Sequence, residues 1–296
     1  MGTAILGRYV LMGPIGHGGM AVVYQAVDSR QGRPVALKML APTLAADPRA
    51  RAKVRLEALI TDRLQHPSVP RVYDVGEAPL PDGTVVPYLA MELVIGVMLA
   101  GRLVGGPLPW REAVATAARI GDVLAVAHRR GIVHRDLQPA NIMLTDRGVK
   151  IVDFGVAGPI AKPRPPALPE PRPAPHPVFP FRLFGRRRPE PVIVKADRAT
   201  VAFDPADDVY ALGVLLYQML TGSSPYPSSS PTVLLSPTRF GAAAPTPVLV
   251  VPGMPRRVAD ICRSCMAKRP ADRPTGSVAA LALWDVLDRS SAAGTY

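Results

Sequence analysis

The 296-residue chain has two cysteines, few aromatic residues and no apolar run long enough to cross a bilayer, and each shortage closes off a class of function. Cys262 and Cys265 are spaced C-x-x-C, yet two ligands cannot close a tetrahedral zinc site and no βαβ pattern surrounds them as a redox pair requires. With Ile261 and Met266 beside them they read as buried helix residues. The longest apolar stretches, around 209–220 and 248–251, are interrupted or well short of the roughly eighteen residues that a spanning helix needs. No basic-then-apolar leader opens the chain, and Leu6 stands where an N-myristoylation signal has Ser or Thr. These absences predict a cytoplasmic protein without a membrane span. Aromatic residues make up 5% and are not interleaved with basic ones as single-stranded nucleic acid demands, so no nucleic acid is expected as a partner.

Acidic residues are also scarce, 23 against 35 Lys and Arg, giving a net charge of +12. The excess is unevenly spread. Residues 162–198 hold nine Lys or Arg against Glu170, Glu190 and Asp197, a net of +6 and half of the total. Twelve prolines fall between Pro159 and Pro191, with Arg186, Arg187 and Arg188 near the end. Proline at that density removes backbone donors and blocks both helix and sheet, so an extended, flexible, basic segment is expected at about 158–195. It is read as a solvated insertion; the alternative is a docking strip for an anionic or aromatic-grooved partner. The chain as a whole, 48% hydrophobic and 20% charged, is globular.

Elsewhere the patterning is regular. Short β-branched or alternating runs at 9–15, 22–28 and 33–40, separated by glycine-rich turns, predict an antiparallel meander. Residues 48–65 carry apolar spacing of three and four and predict a helix, and runs at 71–77 and 85–92 would complete a five-stranded sheet. From Trp110 the pattern turns helical. Residues 111–130 form an Ala-rich amphipathic stretch, with Gly131 where a left-handed cap belongs. Asp204 and Pro205 look like the N-cap and first turn of a helix ending before Gly222, apolar on most sides and therefore buried.

Three sets of residues carry chemistry. Gly16, Gly18 and Gly19 lie at a strand-to-strand turn, where missing side chains let backbone amides approach phosphate oxygens; alone this is a weak signal. In Val35-Ala36-Leu37-Lys38 a lysine sits in an apolar strand, which is costly unless it is paired, and Glu57 on the next helix can pair with it. His134-Arg135-Asp136-Leu137-Gln138-Pro139-Ala140-Asn141, followed twelve residues after Asn141 by Asp153-Phe154-Gly155, supplies a proton-accepting carboxylate, a carboxamide and a second carboxylate. Those groups, in that order, can position a hydroxyl and hold magnesium against a nucleotide triphosphate.

Together these residues resemble the bacterial Hanks-type (eukaryotic-like) Ser/Thr protein kinases over nearly the whole chain outside 158–195. The resemblance implies an α+β, bilobal fold: a five-stranded antiparallel N-lobe with one main helix at 1–94 and a mainly helical C-lobe at 95–290. It implies ATP and Mg2+ as cofactors and protein substrates with Ser or Thr acceptors. Asp136 would accept or orient the hydroxyl proton, Asn141 and Asp153 would hold magnesium, and Lys38, aimed by Glu57, would meet the α and β phosphates. Met91 would be the gatekeeper; the Glu92 carbonyl and Val94 amide would meet adenine; Ile15, Val23, Ala36 and Met143 would enclose the ring. His134 and Phe154 are read as packing residues. Pro139 matches the Ser/Thr-directed form of the loop. Asp208 matches the start of a buried helix, and Arg273 matches a late structural arginine. The resemblance leaves open the pairing of two copies through the N-lobe.

Three departures bear on activity. The family's lysine two residues after the catalytic aspartate is replaced by Gln138, and an amide dipole stabilises a moving phosphoryl group less than a full charge, which predicts a slow kinase. The Ala-Pro-Glu-type motif, due near 194–196, is missing, leaving Glu190 or Asp197 as partners for Arg273. Finally, no Ser, Thr or Tyr occurs from Asp146 through Ala199, and Thr200 is the only nearby acceptor. Activity is therefore expected not to be switched by loop phosphorylation, with Glu170 or Glu190 standing in as a fixed charge. The alternative to an enzyme is a pseudokinase or ATP-binding scaffold that recruits partners through the proline- and arginine-rich loop. A nucleic-acid-binding module is the remotest reading. With no sensor or anchor after Tyr296, any input is expected from a partner or ligand.

Overall fold

Apolar side chains alternate along most of the first ninety residues, interrupted by helical spacing at 48–64, and recur at helical spacing after them, and the elements follow those changes of period. The computed structural model describes residues 4–154, 158–159, 204–225 and 249–292, which belong to one compact unit, Met1–Ile160 with Phe203–Tyr296. The strands β1 (Ala4–Ile5), β2 (Tyr9–His17), β3 (Ala21–Asp28) and β4 (Arg33–Leu40) precede helix α1 (Pro48–Leu64), and β5 (Val72–Pro79) and β6 (Val85–Glu92) follow it. They form one antiparallel sheet in the order β1-β2-β3-β4-β6-β5. The five expected strands are all present, within two residues at each end. The sheet is extended at its edge by β1, a two-residue strand too short to leave a pattern in the sequence.

β4 lies inside the sheet, between β3 and β6. Val35, Leu37 and Met39 alternate into a core with Tyr9, Ala26, Val86 and Tyr88, while Ala36 and Lys38 fall on the opposite phase. Helix α1 starts where the sequence predicts: the Asp47 side chain accepts from the Arg49 amide at 2.8 Å, and Pro48 fills the first turn, where its missing N–H costs nothing. Ala50, Val54, Glu57, Ala58, Thr61 and Leu64 form its buried stripe, which brings Glu57 inward among apolar neighbours.

The helical part begins with β7 (Val97–Met98), α2 (Leu99–Val104) and α3 (Trp110–Arg129), and Gly131 after α3 has the expected left-handed φ of +75°. β8 (Ile132–Val133), β9 (Ile142–Thr145) and β10 (Gly148–Ile151) follow, with β9 between β7 and β10. Gly158 and Pro159 form β11, paired with β8, so the first two residues of the segment expected to be flexible are strand; the rest of that segment lies outside the described residues. Helices α4 (Pro205–Thr221), α5 (Arg256–Cys265) and α6 (Gly276–Ala292) complete the order.

The α4 helix is the buried axle. Asp204 caps it by accepting from the Ala206 amide at 2.9 Å, Gly222 ends it at φ +72°, and Val209, Leu212, Leu215, Leu216, Met219 and Leu220 are all buried. Gly213 lets it approach α5 closely: a Cβ there would lie 2.7 Å from Met266 Cγ and 2.9 Å from Cys265 Cβ. Cys262 and Cys265 are buried in this contact, and burial pushes both thiols up to about 12. Ile60, Leu64 and Val69 share the core of the helical part, so the end of α1 packs into it. Among the described residues no helix is long and apolar enough to cross a membrane.

Candidate active site

Lys38 reaches the site from the interior of β4, where an uncompensated ammonium would be expensive. It is not uncompensated. Its Nζ donates to Glu57 Oε1 at 2.6 Å and Oε2 at 2.8 Å, and to Asp153 Oδ1 at 3.2 Å. The Lys38 and Glu57 side chains are 13% and 5% exposed, whereas Asp153 is 40% exposed and so open to a ligand. Burial alone would pull the Lys38 ammonium down; the carboxylates of Glu57 and Asp153 outweigh it and hold the ammonium charged, above its ordinary value.

Asp136 sits in a web of side-chain amides. Gln138 Nε2 donates to both of its carboxylate oxygens at 3.0 Å, and Asn141 Nδ2 donates to its Oδ2 at 3.0 Å and to its backbone carbonyl at 2.8 Å. The carboxamide at 138 is therefore turned onto Asp136. The Asn141 side-chain oxygen, left over after both donations, is its remaining acceptor atom.

The loop that carries Asp136 is braced from below by Asp208. This carboxylate, 1% exposed in the first turn of α4, accepts from the His134 amide at 2.8 Å, the Arg135 amide at 2.8 Å and His128 Nε2 at 2.8 Å. Near a helix N-terminus a buried carboxylate is favoured by the helix dipole. The brace holds Arg135 at φ +71°, a left-handed conformation that a non-glycine residue adopts only where its surroundings impose it. His134 is fully buried against Phe154, ring centroids 4.7 Å apart, and burial keeps its imidazole below the ordinary value and neutral.

A cavity of about 690 Å³, within the range of small-molecule sites, opens between the sheet and the helical part. Ile15, Gly16, Gly18, Val23, Ala36, Lys38, Met91, Glu92, Val94 and Met143, the residues singled out for nucleotide contact, all line it, together with Glu57, Asn141 and Asp153. Asp136 and Gln138 adjoin it through Asn141. Neither a positive φ nor internal packing calls for glycine at 18 or 19: a Cβ would meet only the Ala21 carbonyl at 3.6 Å in the first case and nothing within 4 Å in the second. What their missing side chains leave is room over the cleft. Gly96 is the reverse case, because a Cβ there would lie 2.1 Å from the Leu144 carbonyl oxygen, so the strand exit can pass β9 only without a side chain.

Sequence reasoning left several site residues without a role. The Glu92 side chain takes Lys150 Nζ at 2.6 and 2.7 Å, tying the exit of β6 to β10. Lys53, Met20, Pro70, Leu93, Met98 and Val152 also line the cavity. Asp208 was placed at the start of its helix, but nothing local indicates that it holds a loop more than seventy residues away. Arg273, its guanidinium fully buried, donates to the Ala206 carbonyl at 2.9 Å and the Ala267 carbonyl at 2.9 Å, and among the described residues it meets the Asp207 carboxylate at 3.4 Å. Glu190, Asp197, Glu170 and Thr200 lie outside the described residues.

The donor set fits magnesium. Asn141 and Asp153 offer hard oxygen atoms on one cavity, and among the described residues no group of three His, Cys, Asp or Glu forms an all-protein cage. Magnesium is ordinarily held by one or two carboxylates, with waters and substrate phosphates completing its shell.

Comparison with known proteins agrees with this arrangement. Residues 9–284 match the protein kinase domain. The chain is 34% identical over 274 residues to the serine/threonine-protein kinase PknL of Mycobacterium tuberculosis, covering 92% of this chain and 63% of that protein. It is 34% identical over 277 residues to PknA of the same organism, covering 92% of this chain and 59% of the relative. The chain thus spans less than two thirds of these relatives' length. The crystal structure of the M. tuberculosis PknI kinase domain superposes with a TM-score of 0.65 at 25% identity, over 97% of this chain and 98% of that one. The sheet with its single helix and the helical half are thus the two lobes of a protein kinase fold, and the chain belongs to the protein kinase domain family, in its bacterial Hanks-type Ser/Thr branch.

Proposed function

We propose that the chain binds ATP with magnesium in this cleft and transfers the γ-phosphoryl group to Ser or Thr hydroxyls of protein substrates, slowly, because Gln138 stands where a lysine is expected. The observation that carries the reading is the buried Lys38–Glu57 pair with Asp153 3.2 Å from the same ammonium. A charged group kept in a low-dielectric cleft beside a half-open carboxylate is arranged for a bound polyanion and its metal.

In this reading Ile15, Val23, Ala36 and Met143 enclose the adenine, with Met91 behind it and the Glu92 carbonyl and Val94 amide at its edge. Gly16 and Gly18 let the backbone close over the phosphates, and Glu57 aims Lys38 at the α and β phosphates. Magnesium, once bound with the nucleotide, would neutralise charge on the phosphate oxygens, held by Asn141 and Asp153. Asp136 orients the acceptor hydroxyl and takes its proton. Gln138 provides a dipole in place of a cation, a loss on the order of 10²-fold in turnover.

The amide of Gln138 on both Asp136 oxygens favours a second reading, an ATP-binding scaffold whose aspartate is occupied. Radiolabelled ATP with a generic basic protein substrate separates the two. The enzyme reading expects transfer that Asp136→Asn abolishes and Gln138→Lys raises. Equal signal from wild type and Asp136→Asn, with tight ATP binding, supports the scaffold.

A further inference from the structure

The cleft contains a second ammonium that the reading above does not use. Lys53 lies on α1 one turn before Glu57 and lines the same cavity as Lys38, Asn141 and Asp153. It has no ion-pair partner among the described residues. Glu57, which at i+4 would be its natural partner on the helix, is committed to Lys38 at 2.6 and 2.8 Å. Among the described residues the polar contact of Lys53 is with Met20 Sδ at 4.0 Å, and a thioether is a weak acceptor that neutralises no charge. Met20 belongs to the turn between β2 and β3, beside Gly18 and Gly19. The ammonium therefore sits at the glycine-turn end of the cleft.

An unpaired ammonium in a cleft that otherwise pairs its lysine, beside a turn with room over it, is suited to an anion from outside the chain. Position 138 supplies only an amide. We propose that Lys53 contacts the terminal phosphoryl group of the bound nucleotide and supplies, from α1, the positive charge that Gln138 does not. This inference rests on the cleft's being the nucleotide site.

The test uses Lys53→Met, which keeps the length and apolar body of the side chain, and Lys53→Arg, which keeps the charge. Both are measured in the full chain, by steady-state transfer and by the affinities of Mg-ATP and Mg-ADP. Lys53→Met should lower kcat about tenfold or more, leave the affinity for ADP within about twofold, and reduce that for ATP; Lys53→Arg should recover most of the loss. In a Gln138→Lys background the effect of Lys53→Met should shrink, because either cation then serves the same charge. Unchanged kcat in Lys53→Met, when Asp136→Asn abolishes transfer, overturns the inference and leaves the kinase reading intact. Should wild type transfer nothing, nucleotide binding decides: a preference for ATP over ADP that Lys53→Met removes supports the contact, and an identical preference in both proteins overturns it.

Discussion

At the residue scale the site is a matter of which polar groups are already occupied. Asp208 accepts from two backbone amides and an imidazole, so its replacement by Asn leaves one acceptor oxygen for donors that now use two. Asp208→Asn is expected to lower turnover about tenfold while leaving nucleotide affinity nearly unchanged, because it loosens the Asp136 loop and not the cavity walls; paired kinetic and binding titrations would show it. The two thiols behave oppositely to reactive cysteines. Raised by burial to about 12, Cys262 and Cys265 should resist iodoacetamide at pH 8 in the native protein and label fully in denaturant, as read by intact mass. The sign of the linkage follows. A thiol with an ordinary value near 9 that stays protonated in the fold favours the native state below pH 9, and that contribution is lost as pH rises from 9 toward 12.

At the element scale, close approaches that need a missing side chain fix how the elements meet. Gly96→Ala would push a methyl into the Leu144 carbonyl, a backbone group that cannot rotate away. A loss of about 1–3 kcal/mol is expected, measurable by chemical denaturation, together with weaker ATP binding because Val94 lies two residues earlier. Removing the cap of α4 by Asp204→Ala should cost about 1 kcal/mol. The elements themselves were largely legible in the sequence. The phases of β4 and α1 put Lys38 and Glu57 on converging faces, and Asp204, Pro205 and Gly222 bracketed the buried helix within its observed ends. What the sequence did not show was long-range. Among the described residues Arg273 meets Asp207, a neighbour in space sixty-six residues away, and the pairing of β11 with β8 depends on two residues at the mouth of a proline-rich run.

At the scale of the whole molecule, one cavity collects groups from the sheet, from α1 and from the loops of the helical lobe. The ten residues chosen for nucleotide contact all line it: Ile15, Gly16, Val23, Ala36 and Lys38 from within β2, β3 and β4, Gly18 from the turn between β2 and β3, Met91, Glu92 and Val94 from β6 and its exit, and Met143 from β9. Lys53 was missed for a physical reason: on a helix rich in arginine, one more cation has no signature until the fold shows which cations have partners. The absence of Ser, Thr and Tyr from Asp146 through Ala199 has a consequence for regulation. Treatment with a phosphatase should leave the rate of transfer unchanged, since that stretch offers no hydroxyl to phosphorylate.

If the Lys38–Glu57–Asp153 cluster makes this cleft a phosphoryl-transfer site, label from γ-labelled ATP should pass to substrate with wild type and not with Lys38→Met at saturating magnesium and nucleotide. Incorporation that is slow but clear in the wild type and falls to background in the variant is the predicted result. Equal incorporation by the two proteins would contradict it.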